Sequence, residues 1–275
     1  MRATAAIIER EVFAANRATG RVALRVGAVA GLTRRRRVHE EGSLRVRFPN
    51  AAPGSLEAVL VNTAGGIAGG DRLSIELDVG EGASLLAGTA AAEKIYRSTG
   101  ADAQMHLSLK VADRARLAWL PQETILFDEA RLSRHISVDV AQSASVVAAE
   151  AIVFGRTAMG EAVKRGAWRD QWRVRRGGKL VFAENVRLDG AIAEKLEARA
   201  AAAGSVALAT VLIAPGAAQM LADVRAIDFK GEGGISAWQD IAVARLVAPD
   251  GLTLRRDLVS LLSALRTTVP QLWFQ

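Results

Sequence analysis

The chain has 275 residues, half of them hydrophobic, and its 36 Lys and Arg against 29 Asp and Glu give a formal charge of +7. That length and apolar content support a large buried core and exclude a disordered tail. Cysteine is absent, which excludes a disulfide framework, a cysteine nucleophile, a thiolate zinc site and an iron–sulfur cluster.

Taken in chain order, the N-terminus places Glu9, Arg10 and Glu11 where a signal peptide would carry its apolar stretch, and no run of eighteen apolar residues follows. A soluble, cytoplasmic protein is the expectation. The pI near 10.5 favours an acidic partner surface or nucleic acid. The densest basic cluster, Arg34–Arg37, lacks interleaved aromatic residues, so it reads as a solvated loop or a protein-docking patch, with nucleic acid as the other reading.

Alternating or β-branched runs recur at Val22–Val26, Leu44–Phe48, Leu56–Val61, Leu73–Val79, Ala103–Val111, Leu117–Leu120, Leu132–Val140 and Val146–Phe154. Turn residues separate them, including Gly27, Pro49–Asn50, Pro53–Gly54, Gly80, Gly100 and Asp113. This rhythm predicts an all-β sandwich, barrel or stacked-sheet architecture and does not fit βαβ units, which need a helix between parallel strands. Trp168–Arg175 and Lys179–Leu188 read as a hairpin about Gly177–Gly178. A helix is expected over Ala191–Ala203, a strand over Val206–Ile213, a helix over Gly216–Ile227 behind Pro215, and a strand over Ile241–Val247. A last helix over Thr253–Arg266 carries Leu254, Leu258, Leu261, Leu262 and Leu265 on one face. There is no exact internal repeat and no linker, so a single domain over residues 1–275 is expected.

The segment Gly65-Gly66-Ile67-Ala68-Gly69-Gly70-Asp71 holds four glycines in six positions before a carboxylate. Glycine at that density marks a backbone that needs positive φ or close approach. It lacks the GxGxxG or Gly-Lys-Ser/Thr pattern of a nucleotide loop and runs into a strand, so it reads as a turn with Asp71 held by backbone donors. In Glu93-Lys94-Ile95-Tyr96-Arg97-Ser98, alternation puts Lys94 and Tyr96 on one face and Glu93, Ile95 and Arg97 on the other. Glu150 stands in an apolar strand, and Glu184 between Phe182 and Val186. Each must be paired, hydrogen-bonded or facing a wet cavity, since burying a lone carboxylate costs several kcal/mol. Two readings follow: structural ion pairs with the many arginines, or functional acids. His39, His106 and His135 lie far apart and form no HxH or HxxxH pair, so any metal would rely on carboxylates or on a partner's ligands.

Gly65–Asp71, Lys94–Ser98, Leu120-Pro121-Gln122-Glu123 with Phe127, and Gly155-Arg156 with Gly160-Glu161 together resemble the UreD (UreH) urease accessory family, in order and spacing, from about Val22 to Leu272-Trp273. The resemblance implies a mainly β fold of stacked sheets in a helix-like array with two α-helices near the C-terminal part. It implies a maturation factor and not an enzyme: a protein that binds apo-urease, recruits UreF and the GTPase UreG, and assists nickel insertion. No tightly bound cofactor is implied, only nickel in transit, and neither nucleic acid nor membrane as partner. Asp71, Glu150 and Glu184 match acids that the family is thought to place along a water-filled nickel passage. Gly65, Gly66, Gly69, Gly70, Lys94, Tyr96, Arg97, Gly155 and Arg156 match its motif positions. Carboxylates hold a divalent ion less tightly than thiolates or imidazoles, which suits a conduit. Glu93 departs from the family pattern, which favours a small hydroxyl residue before the lysine, and Ala64 departs where proline or serine is frequent. The other classes left open are a basic nucleic-acid binder and a carboxylate-based hydrolase, the latter requiring Asp71, Glu150 and Glu184 within about 10 Å of one another in an open cleft.

Overall fold

The structure is a computed structural model and describes residues 16–49 and 55–274. Glu9, Arg10, Glu11, Asn50, Pro53 and Gly54 lie outside the described residues. In chain order the strands are β1 (Thr19–Val29), β2 (Leu32–Gly42), β3 (Leu44–Arg47), β4 (Leu56–Asn62), β5 (Arg72–Val79), β6 (Ser84–Thr89), β7 (Glu93–Ile95), β8 (Ala103–Val111) and β9 (Arg116–Trp119). They continue as β10 (Thr124–Leu126), β11 (Arg131–Val140), β12 (Ser145–Phe154), β13 (Arg165–Arg176), β14 (Lys179–Ala191), β15 (Ala207–Ala214), β16 (Glu232–Trp238) and β17 (Ile241–Ala248). Three helices, α1 (Ile192–Glu197), α2 (Ala218–Arg225) and α3 (Gly251–Ala264), follow β14, β15 and β17 in turn.

The strands form two sheets. The first runs β14-β13-β11-β8-β5-β1-β2 and the second β16-β17-β15-β12-β9-β6-β4-β3. Between β5 and β13 the chain alternates between them, and neighbouring strands of the coil pair in parallel: β5 with β8, β8 with β11 and β11 with β13 in one sheet, β6 with β9 and β9 with β12 in the other. Parallel pairing thus needs no helical crossover, because each strand returns through the opposite sheet. The outermost pair at both ends of both sheets is antiparallel.

The coil has a repeating corner. Val79-Gly-Glu-Gly-Ala83, Val111-Ala-Asp-Arg-Ala115 and Val140-Ala-Gln-Ser-Ala144 each close with a backbone bond from the alanine N–H to the carbonyl three residues before. The valines and alanines at both ends of each corner are buried. Exact identity of sequence is missing from this repeat, while its pattern of a β-branched residue and a small one is kept.

Alternation then sorts the side chains. Val22, Leu24, Leu77, Leu109, Val138 and Val174 of the first sheet meet Leu60, Ala87, Leu117, Ala148, Phe154 and Leu212 of the second in one apolar layer. On the other side of the second sheet, Ala149, Val211, Ala244 and Leu246 pack under Val224 of α2 and Leu254, Leu258, Leu261 and Leu262 of α3. Full burial of such a leucine contributes roughly 1.5–3 kcal/mol. Asp250 caps α3 by accepting from the Thr253 N–H at 2.8 Å, so the helix starts at Gly251.

Two expectations are corrected. Arg34–Arg37 lie not in a loop but on β2, an edge strand exposed along nearly its whole length. The helix expected over Ala191–Ala203 stops at Glu197, where only Ile192 and Leu196 are buried and no longer apolar stripe sustains it. The charged β2, the glycine-containing β16 and the short β6 are strands that the periodicity does not announce. Among the described residues no helix is long and apolar enough to cross a membrane.

Candidate functional site

The sequence motifs converge on one corner of the molecule. Ile67 bridges Ile95 in parallel: its N–H donates to the Lys94 carbonyl at 2.8 Å and its carbonyl accepts from Tyr96 N–H at 2.8 Å. Gly66, at φ +152°, lies under the Tyr96 ring, and the Tyr96 hydroxyl donates to the Gly65 carbonyl at 2.9 Å. Gly69 lies against Ser98 and the Ala101 carbonyl, where a side chain would collide. Gly70 takes φ +92°. The Tyr96 ring meets Phe127 edge-on at 5.2 Å, and the Arg156 guanidinium lies 4.3 Å from the centre of the Phe127 ring. Gly155, at φ +92°, leaves space for the Glu161 carbonyl. Arg156 in turn donates to both oxygens of Glu161, at 2.8 and 3.1 Å. Ile95 is buried while Lys94, Tyr96 and Arg97 are exposed, and Arg97 pairs with Glu129.

Asp71 closes the glycine turn. Its carboxylate accepts from the backbone N–H of Ala18 at 2.9 Å and of Ala68 at 2.8 Å, while its own N–H donates to the Ala68 carbonyl. Both oxygens are thereby used in tying the start of β1 to the turn before β5.

Glu150 stands in the layer between the sheets. Its neighbours on β12 are apolar, and the parity that buries Ala148 and Ile152 against the first sheet brings the carboxylate inward too. Trp119 Nε1 donates to one of its oxygens at 2.7 Å and Arg134 Nη1 to the other. The same guanidinium grips Asp170 of the neighbouring strand, through Nε at 3.0 Å and Nη2 at 2.5 Å. Two carboxylates and one arginine therefore share a buried site with a formal charge of −1. Burial pushes the Glu150 carboxyl above its ordinary range, against the pull of Arg134 and the Trp119 bond. Burial also works against the Arg134 charge, but Asp170 and Glu150 overcome it and hold the guanidinium protonated.

Beside this trio lies a cavity of about 40 Å³ whose wall includes Asn62, Thr89, Glu93, Trp119, Arg134 and Glu150. At about 10–15 Å³ each it has room for roughly three or four waters. Glu93 accepts from Asn62 Nδ2 at 3.0 Å, and burial raises its pKa.

Glu184 occupies the far end of the same layer. Glu150, Thr210 and Arg245 stand opposite one another across β12, β15 and β17, and Arg245 reaches over to pair with Glu184 of β14. Of the three acids the sequence singles out, Glu150 and Glu184 thus share the inter-sheet layer, while Asp71 belongs to the turn. Sequence reading missed Arg134, Asp170 and Trp119; the alternation of charged Arg134 with Leu132 and Ile136 was the available signal. The histidines lie closer than their spacing suggests, for His106 and His135 stand in register on β8 and β11 with rings stacked at 5.1 Å. Among the described residues no group of three or more His, Asp or Glu is placed to hold a metal ion.

A family model described as UreD urease accessory protein matches residues 18–273. Urease accessory protein UreD of Rhodopseudomonas palustris strain BisB5 is 54% identical over 275 residues, covering 99% of this chain and 97% of the relative. That of strain HaA2 is 55% identical over 265 residues, with 95% of each chain covered, and UreD 1 of Bradyrhizobium sp. strain ORS 278 is 49% identical over 276 residues, with 99% of each covered. The chain belongs to the UreD family of urease accessory proteins.

Proposed function

We propose that the chain is a non-catalytic maturation factor that binds apo-urease and, with UreF and the GTPase UreG, assists delivery of nickel to the urease active site. The observation carrying this reading is a cavity inside the sandwich whose largely apolar wall includes the two carboxylates Glu93 and Glu150, in a chain of the UreD urease accessory protein family. Nickel is cargo here. Oxygen ligands and water hold it weakly enough to release it, and Glu93, Glu150 and Glu184 supply such ligands along one layer. Asp71 takes a positioning role, because it belongs to the glycine turn and not to the inter-sheet layer, and its carboxylate ties that turn to the backbone before β1.

The basic surface supports docking on an acidic partner face. Arg34–Arg37 are displayed on an exposed edge strand, and a rim of this kind acts on association rate and salt dependence more than on contact energy. The protein works in the cytoplasm on this reading, with urease and its accessory proteins as partners and neither nucleic acid nor membrane among them.

The test is urease activation in cells that express this chain with its partners. Glu150→Gln is expected to lower both the nickel content and the activity of the urease while leaving the accessory complex assembled. Normal nickel content with the Glu150→Gln and Glu184→Gln substitutions combined would exclude these acids from the path.

A further inference from the structure

Strand β2 closes one end of the first sheet and pairs with β1 alone. Its outer edge therefore presents a row of unpaired backbone N–H and C=O groups, the template on which a further strand can form. Resting on the docking role proposed for Arg34–Arg37, we propose that this edge takes an acidic, extended segment of a partner protein as an added strand of the first sheet, with the partner's carboxylates set against the β2 arginines.

Charge selects the occupant. The acids near the arginine run are already taken: Asp78 pairs with Arg25 at 3.3 Å and Glu40 with Arg47 at 3.2 Å. Among the described residues Arg34 and Arg37 are left without an acidic partner. A second copy pairing through the same edge would set arginine beside arginine, so the cations that keep copies apart are the ones that attract an acidic strand. Geometry provides for its side chains. The register of β1 against β2 shifts between Arg25 and Val26, so that Arg37 stands opposite exposed Arg25 while Arg35 stands opposite buried Val26. Two arginines two residues apart thus turn to opposite faces. A depression lies at each. One, of about 280 Å³, is lined by Arg37 and His39 beside the Arg21–Glu76 and Arg25–Asp78 pairs. The other, of about 580 Å³, is lined by Arg34, Arg35 and Phe48, with the Arg35 guanidinium 4.6 Å from the centre of the Phe48 ring. Successive side chains of an added strand point alternately to the two faces, so acids at neighbouring positions reach both depressions. Val38, 41% exposed within the strand, adds apolar contact.

The experiment follows the fluorescence anisotropy of a fluorescein-labelled peptide, about ten residues of alternating Glu-Glu and Val-Thr pairs, on titration with the purified full-length chain. Saturable binding that weakens steeply with salt is expected, and no binding overturns the proposal. The same peptide with its backbone N–H groups methylated keeps its charge but cannot pair with an edge. It should bind at least about tenfold more weakly, and equal binding, which would mean charge attraction without strand addition, overturns the proposal. Arg34→Glu combined with Arg37→Glu should weaken binding of the unmethylated peptide by at least about tenfold, and unchanged binding overturns the proposal as well. If that variant does not fold, the two peptides decide on the unsubstituted chain. Tighter binding of oligothymidylate than of the peptide, or self-association of the chain that the same two substitutions remove, would give the edge another occupant and overturn the proposal. The measurement involves neither urease nor nickel, so its failure leaves the maturation reading to the Glu150→Gln test, and failure of that test leaves the edge.

Discussion

Tyr96 covers Gly66 so closely that a Cβ on the glycine would stand 2.4 Å from its ring. The hydroxyl of the same tyrosine donates to the Gly65 carbonyl. Two separate costs follow. Gly66→Ala must displace the ring and hold a φ of +152° that only glycine adopts freely, so it should lose on the order of 2–3 kcal/mol. Tyr96→Phe keeps the ring and loses one hydrogen bond, about 1 kcal/mol. Urea denaturation of both variants decides the matter, and an alanine variant as stable as the parent would contradict this contact.

Asp71→Ala removes the acceptor for two backbone N–H groups and should cost about 3 kcal/mol in the same measurement. Its effect on urease activation should track the amount of folded protein. A fully stable Asp71→Ala chain that fails in activation would return Asp71 to the ion path.

Glu93 gives a pH prediction. Burial raises its carboxyl pKa in the folded chain above the ordinary 4.5, so the folded state holds the proton more tightly than the unfolded one. Its contribution to stability is therefore fully present below the unfolded value and declines as pH rises through the raised folded value. Glu93→Gln, which can keep the Asn62 contact, should flatten that decline and be the more stable chain at neutral pH. Thermal melts of both chains between pH 4 and 8 show the sign, and parallel curves would mean that Glu93 titrates normally.

Arg255 of α3 donates to Glu123 through Nε at 2.7 Å and also through Nη2, and its Nη1 reaches the Trp273 carbonyl at 3.2 Å. Trp273 in turn donates to the Leu120 carbonyl at 3.2 Å. Arg255→Ala leaves the largely buried Glu123 carboxylate unpaired and should cost roughly 2–3 kcal/mol, with Arg255→Lys recovering only part because it lacks the two-pronged geometry. Faster proteolysis of the C-terminal segment would report the same loosening.

Where strands are buried on one face, alternation made them legible, as in Leu73–Val79 and Leu132–Val140. Strand β2 was not, because an edge strand exposed on both faces has no apolar partner to alternate against, and Arg34–Arg37 therefore looked like a loop. The corner repeat at Val79, Val111 and Val140 was overlooked because it conserves size and branching, not identity. Glu150 stood out as an acid among apolar neighbours. Its partners did not, since Arg134 and Asp170 meet it only once three strands from two sheets are brought together. Asp71 was legible as a backbone-held turn carboxylate from the glycines around it.

The antiparallel pairs that finish both sheets have a consequence for size. A parallel coil can in principle accept another turn at either end, but a reversed outer strand offers the wrong direction for one. The number of turns is thereby fixed, and with it the length of the layer between the sheets. The coil is a ruler of set length, and that length is written into the direction of its four outer strands.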